Sequence, residues 1–438
     1  MKRTFAAMGG LAAGSLLLTG CLSTGDGAAT TAETPGEESA QSTVSILYAF
    51  SGSQSETFQE DMDAWAEGEG ITIEYTQSDA FEEVVSTSVS SGNAPDIAIF
   101  PQPGILTSLA TDGHIADLAT QVDLPALEAD IVPGFLDAAT VDGTVYGAPM
   151  SMNGKSLYWY SKKNFAAAGY EVPTTHAELL TLIDTIKSDG KTPVCYGLES
   201  GPATGWPGTD WIEDYVLQTS GPEVYDQWVA GDIKFDSPEI RKAFAAYDEI
   251  IMAEGNVYGE AKNASSIAFG QALNPMFDED PKCYFGKQGN FITQSGFFPE
   301  AIHANMDEEV GMFVTPSVSG ESPFLGGGDL AAAFTKNDAN VKKVMAFMTT
   351  DPAFGDAQSQ SGSWLSPLQS FDTSKYPSDT LRDVVSTIQE ASVFRFDGSD
   401  LMPGAVGAGT FWQGMVSYTA GNTDLDTTLA NIDAGWPA

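Results

Sequence analysis

From Val44 onward the chain alternates between two hydrophobic periods. Val44, Ile46 and Tyr48 fall at every second position, the mark of a half-buried strand. After Ser55 the period lengthens: Phe58, Met62 and Trp65 stand at i, i+4 and i+7, one helical stripe facing a core. Residues 71–75 read as a second strand, and 81–89 as a helix that Gly92 stops. Asp96–Phe100 is a third strand, closed by Pro101 and Pro103. This βαβαβ order argues for a parallel sheet covered on both faces.

The second half is expected to repeat the arrangement. Residues 157–160 are strand-like, and Leu179, Leu180, Ile183 and Ile186 stripe a helix ending near Gly190. Val194–Leu198 reads as a strand. Asp210 with Glu213 three residues on has capping-box spacing and predicts a helix start there. Ser237-Pro238-Glu239 is a further start, with Phe244, Tyr247 and Ile251 facing inward. Two later apolar stripes run through 341–348 and 381–388. Trp65 and Trp159 read as core. No short-period repeat appears, which argues against a solenoid or propeller.

Ahead of the folded body, Lys2 and Arg3 precede an apolar run around residues 11–18 and the sequence Leu18-Thr-Gly-Cys21. A charged start, a short apolar stretch and small residues before a cleavage point define a secretory leader. With cysteine next, the segment resembles the lipobox of bacterial lipoproteins, which implies lipid on Cys21. Residues 22–42 carry no aromatic side chain and cannot build a core. As a flexible coil their ends sit about 25 Å apart, enough for a tether. The expected layout is a leader over 1–20 and a lipidated tether over 21–43. The body beyond the tether exceeds one ordinary hydrophobic core, so two lobes are expected.

Composition narrows function mainly by exclusion. Sixty acidic residues against 19 basic give a formal net charge of −41. Such a surface repels nucleic acid and anionic membranes, so membrane contact is expected only through the lipid. There are three cysteines; with Cys21 acylated, Cys195 and Cys283 are left, an even number in an oxidising compartment, and a disulfide between them is expected. Three scattered histidines include no His-Glu-x-x-His, and neither a Gly-x-Ser-x-Gly elbow nor a phosphate-binding loop occurs. The acids at 424, 426 and 433 lack the glycine of a calcium loop, where Leu429 stands. No metal, no cofactor and no catalytic residue are expected. A glycoside hydrolase using two cleft carboxylates is the alternative that sixty acids leave open. A scaffolding lipoprotein is a third reading, and it predicts no deep cleft.

Several phrases, in order, resemble the extracellular solute-binding proteins of ABC importers, the maltose-binding-like class. They are Ser91-Gly-Asn-Ala-Pro-Asp96, Asp142-Gly-Thr-Val-Tyr-Gly-Ala-Pro149, and Tyr158-Trp-Tyr-Ser-Lys-Lys-Asn-Phe-Ala-Ala-Ala-Gly169 followed by Val172–Leu179. Within that class residues 197–211, 326–330 and 394–407 look most like α-glucoside-binding members. The resemblance implies an α/β, two-lobed, periplasmic-binding-protein-like (type II) fold with a hinge and an interlobe ligand cleft. Lobe one is expected over 44–152 plus about 325–375, lobe two over 155–315 plus about 376–438. Crossings are expected near 147–154 and 313–327, where Gly and Pro are dense. The implied function is a monomeric receptor that passes a carbohydrate to membrane permease subunits with a cytoplasmic ATPase.

A sugar needs paired hydrogen bonds for its hydroxyls and aromatic rings for its CH-rich face. Phe100 and Gln102 flank a turn that directly follows a strand, and are expected at the cleft. Trp206, Asp210 and Trp211 cluster on a Gly/Pro-rich loop; Trp211 could instead pack on Tyr215, one turn on. Asp329 follows three glycines, where backbone can approach a ligand or where a helix could be capped. Glu199 and Asn153 are further candidates, with ordinary strand-end polar residues as the alternative. Trp364, in a polar turn, is a candidate platform. Phe291 stands where many relatives of this class carry tryptophan. Trp412 could line the cleft or a helix core.

Overall fold

The computed structural model describes residues 40–437 except Pro133, Ser319, Glu321 and Ser392. The leader, most of the tether and Cys21 lie outside the described residues. The strands that position the site are β1 (Thr43–Tyr48), β2 (Thr72–Gln77), β3 (Ile97–Phe100), β4 (Ala148–Pro149), β5 (Asn153–Gly154) and β6 (Leu157–Ser161). They continue with β7 (Phe285–Lys287), β8 (Val310–Val314), β9 (Pro323–Gly327), β10 (Leu330–Ala333) and β11 (Val393–Phe396). The helices used below are α1 (Gly52–Glu69), α2 (Phe81–Ser90), α3 (Pro103–Thr111), α4 (His176–Ser188), α5 (Trp206–Ser220), α6 (Pro238–Tyr247) and α7 (Trp412–Thr419).

One sheet has five strands in the order β2-β1-β3-β10-β4. β1 runs parallel to β2 and β3, with Ile46 opposite both Tyr75 and Ile97. The late strand β10 then adds antiparallel to β3, so the sheet is mixed rather than purely parallel. Every residue of β3 is buried, as both faces are covered. α1 buries Phe58, Met62 and Ala66, and ends at Gly70, whose φ of 70° is left-handed.

A second sheet, β8-β6-β7, is antiparallel throughout, which corrects the expectation that the parallel arrangement repeats. Val194–Leu198 is also not a strand: it is held by single bridges from Val194 to Val257 and Phe285, and one from Glu199 to Ala268. Cys195 and Cys283 are disulfide-bonded, with Cα atoms 5.3 Å apart, tying that segment to the approach to β7. α4 opens with a reciprocal capping box between Thr175 and Glu178, and α6 is capped by Ser237. Asp424 serves as an N-cap, accepting from the Thr427 amide. α5 and α6 carry a second buried cluster that includes Trp211, Tyr215, Phe244 and Tyr247.

The third sheet, β11-β9-β5, receives the chain as it leaves the first. Passage occurs twice, side by side: between β4 and β5 through residues 150–152, and between β9 and β10 through Gly328 and Asp329. Ser151 Oγ donates to Asp329 Oδ2 at 2.6 Å, and the Asp329 and Met150 amides complete the clasp at 3.0 and 2.9 Å. Gly328 is required there, because a Cβ would sit 2.2 Å from the Ser151 carbonyl oxygen.

Candidate functional site

A cavity of about 480 Å³ opens at these passages. That volume lies in the ordinary range for a small-molecule site. Its walls come from segments distant in sequence. Phe50 and Gln102 stand at the carboxyl ends of β1 and β3, where open α/β sheets present ligands. Phe81 and Glu82 open α2. Gly328 and Asp329 belong to the second passage, and Asn153 and Lys155 follow the first. Trp206, at the first position of α5, and Trp412, at the start of α7, face the cavity with Phe269, Phe291 and Phe297.

The aromatic wall has a definite geometry. Trp206 meets Phe269 edge-to-face at 4.9 Å and Phe291 at 5.6 Å between centroids. Gly205 makes this possible: its φ is 121°, and a Cβ there would fall 2.4 Å from the Trp412 carbonyl oxygen. Three buried polar atoms on the walls have no partner among the described residues: Gln102 Oε1, Gln294 Oε1 and Trp412 Nε1. Such atoms cost about 1–3 kcal/mol each when left dry, so they mark where a polar ligand or water belongs.

Beneath the floor lies a buried charge cluster. Lys155 Nζ contacts Asp397 Oδ2 at 2.6 Å, Asp210 Oδ1 at 3.2 Å and Asp400 Oδ2 at 3.7 Å, and stands 5.5 Å from the centre of the Trp206 ring. Glu213 accepts from the Gly398 and Ser399 amides at 2.9 and 3.2 Å. Lys287 Nζ pairs with Asp214 at 3.2 Å and donates to the Lys155 and Asp210 carbonyl oxygens. Burial pushes the Asp210 carboxyl up to about 7, partly offset by Lys155. Burial and the neighbouring Asp397 charge also raise Glu213 and Asp400. Burial opposes ionisation of Asp397 too, but Lys155 and several hydrogen bonds hold it at about 2. Oxygens of Asp210, Glu213 and Asp397 lie within 4.8 Å of one another. The Lys155 ammonium is the positive charge that two of them, Asp210 and Asp397, contact.

The expected site residues divide cleanly. Gln102, Asn153, Glu199, Trp206, Phe291 and Asp329 line the cavity together. Four others do not. Phe100 is fully buried against Phe81 and Phe334, since both faces of β3 are covered. Trp211 is 1% exposed and packs on Tyr158, Tyr196 and Tyr215 in the core of the second cluster. Asp210 is no N-cap: α5 begins four residues earlier, and the side chain is buried on Lys155. Trp364 is 2% exposed between Phe354 and Phe371, and its Nε1 donates to the Met150 carbonyl at 3.1 Å, bracing the first passage.

Residues missed by sequence reasoning include Phe50, Phe81, Lys155, Phe269, Phe297 and Asp400. Phe50 was reachable by the same strand-end rule that finds Gln102. Phe269 and Phe297 sit in short turns without periodicity, where no local signal exists.

The same architecture recurs among known proteins. Residues 51–353 match the family model described as bacterial extracellular solute-binding protein. The chain is 38% identical over 397 residues to the osmoprotective compounds-binding protein GgtB of Synechocystis sp., covering 90% of this chain and 92% of that one. It is 34% identical over 404 residues to the alpha-glucosides-binding periplasmic protein AglE of Rhizobium meliloti, covering 90% and 87%. A solved chitin oligosaccharide binding protein superposes with a TM-score of 0.75 at 17% identity, covering 90% of this chain and 98% of that chain. The fold is thus the two-lobed type II architecture with a hinge and a cleft between lobes. Among the described residues no helix is long and apolar enough to cross a membrane. The chain belongs to the bacterial extracellular solute-binding protein family.

Proposed function

We propose that the protein captures a carbohydrate, an α-glucoside or related oligosaccharide, in this cleft and delivers it unaltered to an ABC permease driven by a cytoplasmic ATPase. The observation that carries the reading is the wall of Trp206, Phe269 and Phe291 beside unpartnered amide and indole groups. Aromatic faces suit the CH surface of a sugar ring, and the polar atoms suit its hydroxyls. The name of AglE supports the same class. Gln102, Asn153, Glu199, Trp206, Phe291 and Asp329 are the proposed contacts. The proposed lobes are 44–152 plus about 325–375 and 155–315 plus about 376–438. Ligand bridging the lobes selects the closed state, which the permease then recognises. Lipid on Cys21 anchors the protein, as a monomer, outside the cytoplasm.

The test is thermal unfolding against mono- and oligosaccharides, with the sugars recovered afterwards. At 100 Kd of ligand the stabilisation is about 2.7 kcal/mol, roughly 3 °C for a chain this size. A shift confined to α-glucosides, with intact sugar, supports the proposal. No shift anywhere removes the carbohydrate, and consumed sugar replaces the receptor with a hydrolase.

A further inference from the structure

Five carboxyl side chains line the cleft: Asp79, Glu82, Glu199, Asp329 and Asp400. Among the described residues, Lys155 is the one cationic side chain on its walls. That ammonium is already held by Asp397 at 2.6 Å and Asp210 at 3.2 Å, with Asp400 at 3.7 Å, and is itself buried. An anion entering the cleft therefore meets no free cation, and must leave water without compensation. Among the described residues, the buried wall atoms without a partner are uncharged: Gln294 Oε1, Trp412 Nε1 and Gln102 Oε1. They offer two acceptors and one donor, a set matched to hydroxyl groups.

We propose that the cleft is charge-selective: it binds neutral polyhydroxylated ligands and rejects the same glycosides bearing a phosphate or carboxylate, through Asp79, Glu82, Glu199 and Asp329 with Lys155 sequestered. This rests on the carbohydrate reading above and sharpens it. Two like charges about 8 Å apart at an effective dielectric of about 20 weaken binding roughly 30-fold. A phosphoryl group facing several carboxylates should therefore lose at least about 30-fold.

The experiment compares trehalose, sucrose and maltose with their 6-phosphates by calorimetric titration of the full chain, at about 20 mM and 500 mM salt. The expected result is binding of a neutral sugar, with its phosphate at least 30-fold weaker and the gap narrowing at high salt, because screening acts on charge. In the double variant Asp79→Asn/Glu82→Gln the ratio should also fall, whatever the change in absolute affinity. A neutral sugar and its phosphate bound alike overturns this inference alone. So does a gap indifferent both to salt and to the double variant, since bulk rather than charge then excludes the phosphate. If none of the neutral sugars binds, the carbohydrate reading falls and takes this inference with it.

Discussion

Replacing Lys155 by methionine should destabilise the protein strongly at neutral pH and little in mild acid. The ammonium lies 2.6 Å from Asp397, a side chain with no exposure to solvent. Without it Asp397 must take up a proton, because a lone buried carboxylate is untenable. Holding an ordinary carboxyl of pKa 3.8 protonated at pH 7.5 costs about 5 kcal/mol, whereas at pH 4.5 it costs about 1 kcal/mol. The larger figure agrees with the roughly 3–5 kcal/mol lost when one partner of a buried pair is removed. At about 2.1 cal/mol/K per residue, 5 kcal/mol lowers the melting temperature of this chain by about 6 °C. The assay is thermal unfolding of Lys155→Met and Lys155→Met/Asp397→Asn at both pH values. The double variant should recover part of the loss at pH 7.5. An equal loss at both pH values, or none at pH 7.5, would refute the placement of Lys155 as the counter-ion of Asp397.

Other outcomes rest on the same geometry. Asp210 titrates at about 7 when folded against 3.8 as an ordinary carboxyl, so its stabilisation is complete below about pH 4 and is lost as pH rises through 7. Glu213 and Asp400 act in the same direction, while Asp397 opposes them only below about pH 4. A pH series of melting temperatures should therefore decline from about pH 5 to pH 8, and Asp210→Asn should flatten it. Trp206→Ala should weaken ligand binding at least tenfold with modest change in stability. Trp364→Ala should instead lose about 3–5 kcal/mol of stability, since it empties a core site. Converting Cys195 and Cys283 to serine opens a loop with a sequence separation of 88. The chain-entropy model gives a loss of about 4–5 kcal/mol, read as a lower denaturation midpoint.

What the sequence discloses is local. The stripe Phe58–Met62 and the cap at Ser237 depend on neighbours within a few positions, and both elements form where periodicity places them. Gln102 was legible because a strand followed by two prolines leaves one place for the turn. The start of α5 was misplaced because Asp210 and Glu213 imitate a capping box, whereas Pro207 in the first turn marks the actual beginning. Their true role depends on Lys155, 55 residues from Asp210, and on Asp397, 242 residues from Lys155. No window of sequence holds that cluster. Trp364 and Trp211 looked like platforms because polar or glycine-rich neighbours surround them. Their burial comes from Phe354 and Phe371 in one case, and from Tyr158 and Tyr196 in the other. The antiparallel addition of β10 is similarly remote, since its partner β3 precedes it by more than 200 residues.

The central claim is that the cleft at the passages holds an intact α-glucoside against the Trp206 wall. Calorimetric titration of the protein and of Trp206→Ala with maltose, sucrose and trehalose tests it most directly, with the sugar analysed after each run. The predicted result is one-to-one binding of at least one of them, a loss of at least tenfold in the variant, and unchanged sugar. Equal affinity in the variant, or no binding of any α-glucoside to either protein, would contradict it.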